Sequence, residues 1–134
     1  MARLTLKTEY ALLALIHLAR QDRSARVSVE TLAREREIPA PFLEQIMMAL
    51  KKAGYVTSSR GKYGGFALAR APQRISMAEI VRLFDGALAP TLCVSEYFYS
   101  ETPIHSERKA VDVFREIRDY VAKKLEATTL ADLL

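Results

Sequence analysis

Cysteine is nearly absent from this sequence, and so are long apolar runs. The single cysteine, Cys93, excludes an internal disulfide framework. No apolar stretch approaches the roughly 20 residues that cross a bilayer, and the polar residues from Thr5 onward do not fit a signal peptide. Paired acid–base groups, a phosphate loop and an activated nucleophile are also not recognisable, which argues against an enzyme. We therefore expect a cytoplasmic, non-enzymatic protein without a membrane partner.

Acidic residues are missing from one stretch of the chain. Residues 51–74 contain six Lys/Arg and no Asp or Glu. The whole chain has a net charge of +4, but residues 1–74 carry +7 and residues 75–134 carry −3. A concentrated positive field attracts a polyanion, and nucleic acid is the commonest one in the cytosol. A solvated basic face without a partner explains the charge about equally well.

The first half of the chain predicts three helices. Thr5–Arg20 is apolar on nearly every face, as in a buried helix. Ser28 is a good N-cap for a short second helix, which Ile38–Pro41 interrupts. A third helix then runs to about Ala53, where Gly54 provides a left-handed stop. A short helix, a tight break and a two-faced helix are typical of a helix-turn-helix, although small helical bundles contain similar pairs.

A glycine-rich hairpin is predicted next. The segments 56–60 and 66–69 alternate with period two, and Arg60–Gly65 lies between them. A basic hairpin directly after a two-faced helix is typical of the wing of a winged helix, whereas the plain alternative is a turn with solvated charges. The predicted fold class is mainly α with a small β-hairpin wing: a winged helix-turn-helix with a long C-terminal dimerisation helix.

The C-terminal half contains two further helices and a long connection. A capping box at Ser76–Glu79 begins the fourth helix, and Gly86 ends it. The connection 87–105 has no clear periodicity, so we expect it to be functional or disordered. Residues 106–126 form an amphipathic helix, and Thr128 is the expected cap of a last short turn.

The apolar stripe of this last helix needs something to pack against. A second copy of the chain would bury it in a twofold dimer, and the alternative is that the helix folds back on its own core. The expected division is a DNA-binding unit 1–86, an effector segment 87–105 and a dimerisation unit 106–134. The expected dimer residues are Ala110, Val113, Phe114, Ile117, Tyr120 and Val121.

Several blocks of the sequence resemble the Rrf-two family of winged-helix regulators, the IscR, NsrR and CymR type. The matching blocks are Leu4–Leu12, Ile38-Pro39, Phe42–Ile46, Leu50-Lys51, Ala53-Gly54, Ser59–Gly61, Gly64–Arg70, Pro72, Ile75, Glu79-Ile80, Asp85-Gly86 and Thr129–Leu133. The resemblance covers nearly the whole chain. It implies a transcription regulator, expected to be a repressor, that binds a palindromic operator in double-stranded DNA as a homodimer.

The resemblance also implies which residues touch DNA. Glu44 would accept from a cytosine amino group, with a first-turn acid favoured by the helix dipole as the alternative, and Gln45 would pair with adenine. Arg60 would read a base or a narrow minor groove, and Lys62 would contact phosphate. The wing glycines would let the backbone approach the duplex, and the hydroxyls that begin the first helix would hold a phosphate. The expected DNA contacts are Thr5, Thr8, Tyr10, Ser28, Pro39, Ala40, Pro41, Glu44, Gln45, Met48, Lys51, Lys52, Ser58, Arg60, Gly61, Lys62, Tyr63, Gly64 and Gly65.

The effector is left open by the sequence. Cluster-binding members of the family place three cysteines in and after the segment 87–105, where this chain has only Cys93. An iron–sulfur cluster held by Cys93, His105 and Glu9 of the partner subunit is one alternative. A redox-sensitive thiol is a second, and a metal-free regulator controlled by a small molecule or protein is a third. A fourth alternative is that Cys93 is a small buried residue without a sensing role. For the chain as a whole, the alternative is a winged helix that serves only protein interaction.

Overall fold

The computed structural model describes residues 3–134, and within them it shows the predicted winged helix-turn-helix. Four short 3-10 turns accompany five α-helices and one antiparallel two-stranded sheet, whose register pairs Val56 with Leu68. Predicted helix starts and stops are reproduced to within about two residues. The elements are α1 (Leu6–Ala19), α2 (Val29–Arg36), α3 (Ala40–Lys52), β1 (Val56–Ser59), β2 (Gly65–Leu68), α4 (Met77–Asp85) and α5 (Arg108–Ala127).

Helix α1 lies at the centre of the main core, as its all-round apolar sequence predicts. Ala11, Ala14 and Leu15 are fully buried, and α1 packs against α2, α3 and α4. The C-terminal turn also enters this core through Leu130, which is fully buried. The core therefore joins both ends of the chain. No helix within residues 3–134 has the length and apolarity that a membrane crossing requires.

The turn between α2 and α3 depends on one residue in a left-handed conformation. Glu37 closes α2 with φ +55° and is the only non-glycine residue with positive φ among residues 3–134. Ile38 is then buried, and Pro39 precedes the first residue of α3. Pro41 lies in the first turn of α3, as predicted, where a missing N–H leaves no intrahelical acceptor unpaired.

The wing is docked onto the connection between α1 and α2. Val27 donates from its N–H to the Phe66 carbonyl at 2.9 Å and accepts from the Phe66 N–H at 2.7 Å. Gly65, with φ +135°, lies so close that a Cβ there would stand 2.6 Å from the Val27 carbonyl carbon. The hairpin is thus fixed to the helical body at its second strand.

Two of the wing glycines have a structural role inside the protein. Gly65 is required by its contact with Val27, and a Cβ at Gly64 would lie 2.4 Å from the Ser59 carbonyl oxygen. Packing within the protein therefore requires glycine at both positions, and their contact with DNA stays a prediction. Gly61 is the only one of the three wing glycines with open space around it. Its φ is +98°, and no atom lies within 4 Å of the position that a Cβ would take.

The connection 87–105 is folded against α5. Two 3-10 turns, Leu92–Val94 and Pro103–Ser106, lie within it or at its end. Cys93 and Val94 pack with Val111 in a small apolar cluster. We find the last turn, Leu130–Leu133, capped by Thr129 and not by Thr128, because Thr129 forms a capping box with Asp132.

Helix α5 has two differently used faces. Val111 and Ala122 are buried against the chain itself, so the alternative that α5 folds back on its own core is correct for this face. Val113, Ile117 and Tyr120 are exposed at 55%, 45% and 72%. The second face carries three of the six residues predicted for the dimer and has no cover within residues 3–134.

We predict that Gly65→Ala lowers the free energy of unfolding by about 3 kcal/mol, since it combines positive φ with a backbone clash. Gly61→Ala is the matched control, because it has positive φ but open space, and we expect a loss of about 1 kcal/mol. Urea unfolding followed by circular dichroism measures both. Equal losses in the two variants would show that the contact with Val27 does not hold the wing.

Candidate nucleic-acid interface

The outer face of α3 is presented to solvent as the two-faced pattern predicts. The inner side buries Leu43, Ile46, Met47 and Leu50. On the outer side Glu44, Gln45, Lys51 and Lys52 are exposed, and Met48 is 59% exposed. At the start of the helix Pro39 and Pro41 are exposed and Ala40 is half-buried. An exposed, polar face at the N-terminal half of the second helix in a helix-turn-helix is what major-groove contact requires.

The tip of the wing projects four exposed residues. Arg60, Gly61 and Lys62 follow β1, and Tyr63 is 85% exposed. The Lys62 Nζ lies 5.6 Å from the centroid of the Tyr63 ring. Ser58 is half-buried in β1 opposite Phe66. The tip therefore combines two cations with an exposed aromatic ring, a combination suited to phosphate and sugar contacts.

The cations of this surface have no acidic partners. Among residues 3–134, no carboxylate oxygen lies within 4.0 Å of the charged nitrogens of Lys51, Lys52, Arg60 or Lys62. An unpaired cation keeps its full field for a polyanion, whereas an ion pair cancels most of it at distance. We call this set of four residues the basic surface.

Arg70 belongs to the basic stretch 51–74, but its side chain packs on Glu79 and Tyr55 and does not join the basic surface. Its Nη1 lies 3.3 Å from Glu79 Oε1, and its guanidinium lies 4.5 Å from the centroid of the Tyr55 ring. The Tyr55 hydroxyl donates to the same Glu79 oxygen at 3.2 Å. Burial and the Glu79 carboxylate raise the pKa of Tyr55, so the hydroxyl remains a donor. The acid-free stretch 51–74 therefore does not form one continuous face.

The hydroxyls at the start of α1 are used inside the protein. Thr5 Oγ1 donates to Asp85 Oδ1 at 2.6 Å and accepts from the Thr8 N–H. Thr8 is fully buried, so its side chain is not exposed for the phosphate contact expected of it. The Tyr10 ring packs edge-on against Phe42, with centroids 5.6 Å apart. These contacts position α1, while Thr5 remains exposed and Tyr10 half-buried.

Ser28 also has a structural use. Its Oγ accepts from the Thr31 N–H at 3.1 Å and lies 3.0 Å from Thr31 Oγ1. It is the N-cap of α2, as predicted. Its hydroxyl is therefore engaged in the cap of α2, and its contact with DNA stays a prediction.

Cys93 and His105, the two residues of this chain expected to hold a cluster, do not form a metal site with their neighbours in the described part of the chain. Cys93 is 6% exposed within an apolar cluster, and its Sγ lies 3.7 Å from Thr91 Oγ1. His105 Nε2 lies 3.8 Å from Glu101 Oε1, and Glu9 is exposed on α1. Across residues 3–134, no three His, Cys, Asp or Glu side chains form a group that could hold a metal. One buried thiol among alanine and valine side chains does not match the thiolate set of an iron–sulfur cluster.

The six residues expected at a dimer interface divide into two groups. Val113, Ile117 and Tyr120 are exposed, as noted above. Phe114 and Val121 are half-buried and pack partly against the chain's own small clusters, and Ala110 is half-buried. The exposed group defines what we call the α5 stripe: Val113, Ile117 and Tyr120.

The structure has the parts of a winged-helix, DNA-binding transcription regulator. These are the exposed helix α3 of the helix-turn-helix, the docked wing and the basic surface. The family model named Rrf2, described as an iron-dependent transcriptional regulator, matches residues 4–134. The chain therefore belongs to the Rrf2 family of transcriptional regulators, which are not enzymes.

Individual relatives match this chain in sequence and structure over most of their length. The HTH-type transcriptional regulator CymR of Bacillus subtilis is 32% identical over 131 residues, which cover 98% of this chain and 88% of the relative. The solved structure of CymR, described as the global cysteine regulator of B. subtilis, matches with a TM-score of 0.82 over 99% of this chain and 96% of that one. The structure of T. potens IscR matches with a TM-score of 0.76 at 27% identity, over 98% and 85% of the two chains.

We predict that Cys93 is unreactive in the folded protein. Reaction with a disulfide reagent such as DTNB should be about a hundredfold slower than in urea, since exposure of the thiol needs a local opening of roughly 3 kcal/mol. Cys93→Ala provides the blank. Native labelling as fast as in urea would show an accessible thiol and would favour the redox-sensing alternative.

Proposed function

We propose that this chain represses transcription by binding a palindromic operator as a homodimer, with α3 in the major groove and the wing along the flanking backbone. The observation that carries the proposal is the basic surface: four cations without acidic partners around the exposed face of α3. Such a surface costs electrostatic repulsion unless a polyanion relieves it. Duplex DNA offers that charge in a shape which an α-helix fits.

Specific contacts would come from the N-terminal half of α3. Glu44 is placed to accept from a cytosine amino group and Gln45 to pair with adenine. Met48, exposed one turn further along, would give an apolar contact to a thymine methyl. Lys51 and Lys52, in the last turn, would add attraction that does not depend on sequence.

The wing would contact the duplex beside the groove. Arg60 and Lys62 flank Gly61, whose open surroundings allow close approach. Arg60 would read a base edge or a narrow minor groove, and Lys62 would bind a phosphate. Tyr63, the most exposed of these side chains, would lie along the sugar-phosphate backbone.

Dimerisation would bring two such surfaces onto one duplex. The α5 stripe is apolar and uncovered within residues 3–134, and a second copy of α5 would bury it in an isologous contact. Residues 1–86 would then bind DNA, 87–105 would receive the effector signal and 106–134 would hold the dimer. Two half-sites about 10 base pairs apart, or a multiple of this, would match the twofold symmetry.

Regulation without a resident metal is the effector mode that the residues favour. Cys93 is a single, buried thiol among apolar side chains, which supports control by a small molecule or a protein partner. The site of action would be the cytoplasm, where the chromosome is accessible to such a regulator.

We predict that Arg60→Ala weakens binding to the operator by about 1–3 kcal/mol, since it removes a direct contact of the wing. Selection from a random duplex pool supplies the operator, and fluorescence anisotropy measures the affinity. Arg74→Ala is the control, because Arg74 is exposed on the 3-10 turn Pro72–Arg74, which packs near the C-terminal turn. A protein from which no duplex can be selected would be a winged helix for protein interaction, contrary to the proposal.

We predict that Ile117→Glu converts the dimer to a monomer, because it places a carboxylate in the middle of the α5 stripe. Sedimentation velocity at a fixed concentration measures the change. Arg115→Glu introduces the same group at another exposed position of α5 and should leave the dimer intact. A monomeric wild-type chain, or a dimer unaffected by Ile117→Glu, would contradict the proposed interface.

A further inference from the structure

A cleft that none of the sequence patterns indicated lies beside the wing. Its volume is about 610 Å³, and its walls come from the wing, the connection between α1 and α2, and side chains of those two helices. Lys62, Tyr63 and Gly64 of the wing form one wall, and the connection between α1 and α2 contributes Ser24 and Arg26. The cleft thus opens along the flank of the same wing that we place against DNA.

Arg26 is held at the base of the wing. Its Nη1 lies 3.4 Å from Thr57 Oγ1 and 3.5 Å from the Gly65 carbonyl oxygen, while the side chain remains exposed. The next residue, Val27, is fixed to Phe66 by two backbone hydrogen bonds. The guanidinium is therefore oriented before any ligand arrives, which reduces the entropy lost on binding.

The charges around Arg26 leave its cation available. Asp22, on the same connection, accepts from Ser24 N–H at 2.9 Å and from Ser24 Oγ at 2.7 Å, and these hydrogen bonds hold the pKa of Asp22 below its usual value. Neither Arg26 nor Lys62 has a carboxylate oxygen within 4.0 Å among residues 3–134. Both cations can therefore attract an anion.

The only acidic residue in the cleft lining is Glu35. It lies 3.1 Å from His17 Nε2, while His17 Nδ1 accepts from Arg36 Nε at 3.1 Å. Burial and the Arg36 charge lower the pKa of His17, so the ring is neutral near neutral pH and donates to Glu35. The carboxylate is thus engaged with α1, and the balance of the lining charges stays positive.

We propose that Arg26 and Lys62 together bind a backbone phosphate of the duplex, with Arg26 as a DNA contact outside α3 and the wing tip. This inference rests on the proposed function, because a duplex held by the wing tip brings its backbone along the cleft. A guanidinium fork matches phosphate geometry, and Lys62 adds a second positive charge from the opposite wall. The contact is to phosphate and therefore contributes equally to every DNA sequence.

The test compares Arg26→Gln with Arg23→Gln, an exposed arginine of the same connection that does not line the cleft. Binding to the selected operator and to a random duplex is titrated at several salt concentrations. We expect Arg26→Gln to weaken both by about three- to tenfold and to reduce the slope of log affinity against log salt by about 1, the loss of one phosphate contact. Arg23→Gln should match the wild type, and Arg26→Lys should recover the slope.

Each other outcome has a definite meaning. If the wild type binds DNA and Arg26→Gln binds with the same affinity and salt slope, the inference is overturned and the proposed function stands. A loss confined to the operator shows base reading and also overturns it. Tight binding of inorganic phosphate by calorimetry, with DNA binding unaffected by Arg26→Gln, shows a site for a small anion instead. A wild-type chain that binds no duplex removes the proposed function itself. Thermal unfolding of each variant identifies any loss of the fold.

Discussion

The backbone pairing between Val27 and Phe66 is the constraint on which the interface depends. Two hydrogen bonds at 2.9 and 2.7 Å join the connection before α2 to the second strand of the wing. Gly65 allows this approach because any Cβ would meet the Val27 backbone at 2.6 Å. The pairing fixes the angle of the wing relative to α3, and it also places Arg26 at the base of the hairpin. It adds to the packing of Val56 and Leu68 in the main core, because a two-stranded ribbon is marginally stable alone.

Some cations of the molecule are paired with acids and others are not. Arg82 lies 2.7 Å from Glu126, and Arg115 lies 2.8 Å from Asp112. The four cations of the basic surface have no such partner within the described part of the chain, and neither have Lys123 and Lys124 of α5. The basic surface differs because its unpaired cations lie together on the last turn of α3 and the tip of the wing. This concentration of positive charge is the physical reason for expecting a polyanion there.

Local patterns predicted the elements well, and tertiary contacts account for the misses. The capping box at Ser76 and the proline at the start of α3 depend on neighbours a few residues away, so the sequence displays them directly. The burial of Thr8, the inward turn of Arg70 and the roles of Gly64 and Gly65 depend on partners that only the folded chain brings close. Arg26 was missed for the same reason, because no pattern around it shows that it meets the wing. A glycine pair before a strand can serve packing, ligand approach or both, and the sequence does not show that a side chain at Gly64 or Gly65 would meet the protein's own backbone.

Hydroxyl-radical footprinting of the protein on its selected operator tests the central claim most directly. The account predicts two protected regions on one face of the duplex, related by twofold symmetry and separated by about one helical turn or a multiple of it. Protection should include backbone positions flanking each major-groove contact, where the wing and its cleft would lie. A single asymmetric protected region, or uniform protection without a selected sequence, would contradict a dimeric regulator that reads DNA through α3 and the wing.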